Sequence, residues 1–196
     1  MSAVDPTRFT RRFVLAGSLA ALAGCSGPPP ATFDISAAPM PRSGGGRGLL
    51  VVAEPAAVTL LDSERIVVRT VDNGVAYLKG AQWPERLPKL LQARLIQSFE
   101  NARRVGSVGR PGERVVAAHQ LNTEIRTFEV QEGTGEAVVE ITAKIINDRT
   151  GRIVAAEMFA ARAAVSGIDG PAAAQALNGL AQGIMANIVQ WASGRA

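Results

Sequence analysis

The chain has 196 residues, with 21 Lys and Arg against 17 Asp and Glu, for a formal net charge of +4. One histidine and one cysteine exclude a histidine-built metal cluster, a relay of several imidazoles and an internal disulfide. Beyond residue 24 the balance falls to 18 basic and 16 acidic side chains, a net +2, which gives no ground for a nucleic-acid surface.

The first element is an export signal. Arg8, Arg11 and Arg12 precede the apolar run Phe13 to Ala21, and Leu22-Ala23-Gly24-Cys25 follows. That order is a secretory signal ending in a lipobox. Ala23 and Gly24 are small enough for a narrow peptidase cleft, so residues 1–24 are expected to be removed by cleavage between Gly24 and Cys25. Cys25 would then carry diacylglycerol and an N-acyl chain, the only prosthetic groups expected. A permanent span needs roughly 20 apolar residues, which this run does not supply. Each buried acyl methylene contributes about 0.8 kcal/mol, so a multiply acylated cysteine anchors the chain by itself. Ser26, where Asp would suggest retention in the inner membrane, points to the outer membrane with the domain facing the periplasm; the inner membrane stays open. Thr10-Arg11-Arg12-Phe13-Val14-Leu15 also resembles a twin-arginine signal, with its Phe one place early, and general secretory export fits the same basic start.

Residues 25–48 read as an acylated cysteine and a Pro/Gly-rich tether, from Pro28-Pro29-Pro30 to Gly44-Gly45-Gly46, with Thr32 to Ile35 as a short edge strand. Residues 49–196 read as one domain. Leu49 to Val52 is a short buried strand. Glu64 to Thr70 and Val75 to Leu78, separated by Asp72-Asn73-Gly74, predict a hairpin. From Leu87 to Ala102 the apolar positions Leu87, Leu90, Leu91, Leu95 and Phe99 predict a helix, entered through Pro84 and Pro88, with Trp83 against it. After the loop at 109–113, strand patterns follow at about 116–130, 136–147 and 152–163, the first broken by a bulge near Phe128. They predict an antiparallel meander turning at Asp148 to Gly151. A last helix is expected from Pro171 to Ala192. The fold class is therefore α+β: an antiparallel sheet with two amphipathic helices on one face.

Catalytic constellations are not visible. His119 stands alone at a strand start, and no thiol nucleophile remains if Cys25 is acylated. Glu124, Glu129, Glu132, Glu136 and Glu140 read as a solvated sheet face. Gly44 to Gly46 lacks the Lys of a phosphate-binding loop. Arg103 and Arg104 suit a helix C-terminus and are a weak candidate for phospholipid head groups. No enzyme is expected.

Two motifs carry a resemblance. Ala81-Gln82-Trp83-Pro84-Glu85-Arg86-Leu87-Pro88 places a tryptophan before an apolar helix, and Asp148-Arg149-Thr150-Gly151-Arg152 opens a strand that runs to Phe159. With the lipobox and the element order, the chain resembles the ABC-type transport auxiliary lipoproteins over roughly residues 31–192; the segment 109–120 departs from the pattern. Trp83, Asp148 and Gly151 are the structural or interaction residues this resemblance marks. The family includes the lipoprotein of the paraquat-inducible, MCE-domain transport system of Gram-negative bacteria. It implies an accessory role in moving lipids or other hydrophobic molecules, with an MCE-domain subunit and the transporter permease and ATPase as partners. A homo-oligomer stays open. An outer-membrane assembly or envelope-integrity lipoprotein is the alternative, and a periplasmic hydrolase or ligand carrier ranks below it. An apolar cavity would favour the carrier, a flat exposed patch docking.

Overall fold

A computed structural model describes residues 28–44, 46, 48–113 and 117–195. The expected signal peptide, with Gly24 and Cys25, lies outside the described residues. The elements run β1 (Ala31–Thr32), β2 (Leu49–Val52), β3 (Ala56–Ala57), β4 (Arg65–Arg69), β5 (Val75–Gln82), α1 (Leu87–Ala102), β6 (Ser107–Gly109), β7 (His119–Gln131), β8 (Glu136–Asn147), β9 (Ile153–Ala164) and α2 (Gly170–Ser193).

The fold is α+β, but its sheet is mixed, which corrects the antiparallel expectation. β7 pairs antiparallel with β8, and β8 with β9, as the expected meander requires. Along its other edge β7 carries β2, β3 and β4 in parallel, one after another. β5 returns antiparallel on β4. Parallel neighbours need a long crossover, and the segment from β5 through α1 to β6 provides it between β4 and β7. Side-chain alternation encodes which face of a strand is buried and not the direction of its neighbour, so the sequence pattern is silent on this point.

The meander follows its pattern closely. Ala137, Val139, Ile141, Ala143 and Ile145 of β8 are buried, whereas Glu140, Thr142 and Lys144 between them are only partly covered. The register of β7 on β8 shifts between Ile125 and Thr127, a bulge that reverses the face of the residues beyond it and buries Phe128 and Val130. In the β4–β5 hairpin Asn73 takes the left-handed conformation at φ 63°, and its N–H donates to the Thr70 carbonyl at 3.0 Å. β5 runs on to Gln82, past the predicted end at Leu78, through Gly80 at φ 71°, where its register on β4 is broken. A residue with a Cβ would be strained there.

Both helices pack on the sheet and on each other, α2 along β8 and β9 and α1 over β2 and β6. α1 spans the predicted residues and ends where Arg103 turns left-handed at φ 50°. Asp169 caps α2, its side chain accepting from the Ala172 N–H at 2.9 Å. Trp83 has no exposed surface and meets Phe128 edge-to-face with ring centroids 6.0 Å apart, so it joins sheet to helix layer.

Residues 31–44, read from the sequence as part of an extended tether, form a strap bound to the domain. β1 pairs with β5, Ile35 and Ala38 are fully buried, and Gly170 at the start of α2 lies close against Phe33. Backbone N–H groups of Ser36 and Ala38 donate to Asn178 Oδ1 at 2.8 Å and Ser98 Oγ at 2.9 Å. The Arg94 guanidinium reaches the Asp34 carboxylate at 2.6 Å, and Gln182 donates to the Ala37 carbonyl at 3.2 Å. Composition marked this segment as extended, which it is; its attachment depends on helix side chains 60 or more positions away.

Candidate docking surface

β9 has twelve residues and pairs only with β8, leaving the backbone N–H and C=O groups of its other edge without a strand partner among the described residues. Proteins usually blunt such an edge with proline, lysine or a short strand. β9 has none of these; a bulge at Val154 disturbs only its start, and Glu157 and Arg162 are its only charged residues. Its inward row is anchored by Phe159, which meets Trp191 of α2 edge-to-face with centroids 5.8 Å apart. On the remaining surface Ile153, Val154 and Met158 are 58, 51 and 59 % exposed. These three apolar side chains and the open edge beside them can accept another polypeptide.

A groove beside the start of β9 is lined by Asn122, Glu124, Thr142, Lys144, Ile146 and Ile153. It is open to solvent and mixes polar with apolar walls, unlike the enclosed apolar cavity a carrier requires. The space between sheet and helices is filled by Trp83, Phe99, Phe128 and their aliphatic neighbours.

The residues marked from sequence do not converge. Trp83 is core. Asp148 and Gly151 lie in the β8–β9 turn, where the Asp148 N–H donates to the Ala118 carbonyl at 3.1 Å and Gly151 takes φ 67°. The side chain organising that turn is Asn147, whose Oδ1 accepts from both the N–H and the hydroxyl of Thr150 at 3.0 Å. Sequence reasoning missed it, although an Asn followed three places on by Thr is a recognisable turn signal. His119 is half-buried at the start of β7 and pairs with Asn147 across the sheet. Among the described residues no group of His, Cys, Asp or Glu is arranged to hold a metal ion.

Glu129 departs from the solvated face expected of it. Its side chain is 4 % exposed and takes two bonds from the Arg69 guanidinium, at 2.6 and 2.8 Å. Hydrogen bonding to the Glu129 carboxylate raises the Arg69 pKa above its ordinary value. The pair crosses from β4 to β7 and locks their parallel register.

The model of the ABC-type transport auxiliary lipoprotein component matches residues 32–189, and the chain belongs to that family. The protein bll6063 of Bradyrhizobium diazoefficiens is 31 % identical over 144 residues, which are 72 % of this chain and 38 % of that protein. The chain thus spans well under half the length of that relative. The crystal structure of protein XCC0632 from Xanthomonas campestris has a TM-score of 0.74 at 23 % identity, covering 84 % of this chain and 95 % of that one. The hypothetical protein CT253 from Chlamydia trachomatis has a TM-score of 0.53 at 9 % identity, covering 76 and 98 %. These two likenesses establish a shared fold. The family is one of auxiliary transport lipoproteins, not of known enzymes.

Proposed function

We propose that this lipoprotein is the membrane-anchored accessory component of an MCE-type ABC system for lipids or other hydrophobic molecules. It docks the transporter's periplasmic part at the outer membrane. The observation that carries this reading is the family match over residues 32–189, on a domain that follows a lipobox in the sequence. Acylated Cys25 holds the domain at the membrane, and the β9 edge receives the partner by adding a strand to the sheet. Confinement to one membrane raises the effective concentration of both partners, so a modest interface suffices.

Affinity purification of the tagged protein from solubilised membranes is expected to recover an MCE-domain subunit. Recovery of outer-membrane assembly factors alone would favour the envelope-integrity reading and overturn this one.

A further inference from the structure

The strap sets how far the domain stands from its anchor. A free chain from Cys25 to Gly48 would reach about 80 Å at 3.3–3.6 Å per residue. Pro28 and Pro30, however, already lie against β5, lining one groove with Arg65, Tyr77, Leu78 and Lys79. From Cys25 to Pro28 the chain extends no further than about 11 Å. The polar zone on each side of a bilayer is itself roughly 5–8 Å deep. Any lipid on Cys25 therefore brings phospholipid head groups to the side of the sheet formed by β1, β4 and β5.

That side is suited to them. Lys79 is exposed and has no ion-pair partner among the described residues. Arg65 stacks over the Tyr77 ring at 4.9 Å, an amphipathic pair of the kind found at membrane interfaces. Val71 and Val75 are 75 and 46 % exposed. Asp72, the acid at the hairpin tip, has its carboxylate engaged by Thr70 and by the Gly74 N–H.

We infer that the β4–β5 hairpin, with Arg65, Tyr77 and Lys79 at its centre, is a membrane-facing surface that contacts the phospholipid head groups of the anchoring bilayer. The inference rests on the lipid anchor of the proposed function and adds an orientation: the start of β9, with Ile153 and Val154 at the far edge of the sheet and the far end of its strands, lies away from the membrane and is free for a protein partner.

The test uses the full-length acylated protein in phosphatidylcholine–phosphatidylglycerol vesicles carrying a spin label on the head group. Acylation leaves no other thiol, so Val75→Cys and Thr150→Cys each take one fluorophore. Pairing sets Val75 level with Gln131 and Thr150 beyond His119. The two sites are therefore about 40 Å apart along the strands. The Val75 label is expected to lose most of its emission and the Thr150 label little. Flotation of the same samples reads the anchor separately. Protein that floats with equal quenching at both sites, or none at Val75, overturns the orientation and leaves the anchor standing. Protein that does not float overturns the anchor and the inference with it.

Discussion

Glu129 and Arg69 show how one ion pair can serve as a joint. Arg69 keeps a third of its side chain in solvent while Glu129 is almost fully enclosed, so the two ends of the pair are unequal. Arg69→Met is expected to leave the carboxylate uncompensated and cost about 2 kcal/mol, below the usual cost of breaking a buried pair because water reaches one side. Adding Glu129→Leu should restore much of the loss, and urea unfolding of the two variants measures both steps. Asp72 makes a smaller, titratable contribution. Bonds from Thr70 and the Gly74 N–H lower its pKa, so its stabilisation of the hairpin is present at neutral pH. That stabilisation is lost as pH falls through the lowered value. Asp72→Asn is therefore expected to flatten the acid limb of the stability profile, read by thermal unfolding between neutral and acid pH. Neither role was legible beforehand: Glu129 sits in a run of alternating charges that reads as a wet face. Only the parallel approach of β4 encloses it.

Among the elements, the helices and the meander were the most legible, because their burial follows a strict period. The α1 stripe, the β8 alternation and the bulge before Phe128 all sit where the apolar positions require. The strap was not legible, because its bonds come from Arg94, Ser98, Asn178 and Gln182 on helices distant in sequence. Ser98→Ala is expected to orphan the buried Ala38 N–H and cost about 1–3 kcal/mol, with hydrogen exchange rising first in residues 36–38. β9 makes the opposite case, an element whose residues were read correctly and whose exposure was not foreseen. Met158→Glu on its exposed surface is expected to leave the unfolding midpoint nearly unchanged and to reduce co-purification of the transporter subunit, since a charge there opposes strand addition. A large fall in stability with full partner recovery would remove β9 as the docking edge.

At the scale of the whole molecule, β1, where the strap joins the sheet, and β9 lie at opposite edges of that sheet, so the proposed anchoring and docking surfaces are separate. Cys25→Ala is expected to release or mislocalise the domain without altering its unfolding curve, because residues 31–193 supply the core and its caps. Membrane fractionation with circular dichroism of the released protein checks both halves. Retention of the variant at the outer membrane after removal of its signal peptide would mean that the hairpin surface, or a partner, holds the domain without acyl chains.

Taken alone, the sequence determined the α+β class, both helices, the three-stranded meander and the family. Each follows from local information: a period of 3.6 or 2, a proline or glycine at a turn, a motif of adjacent residues. The tertiary structure decided what depends on distant segments meeting. It paired β2, β3 and β4 parallel to β7, enclosed Glu129 against Arg69, fastened residues 31–44 to the helices and left one edge of β9 without a strand partner among the described residues. Pairing direction and edge exposure belong to the assembled sheet, because a strand carries the same alternation whichever way its neighbour runs and whether or not it has one.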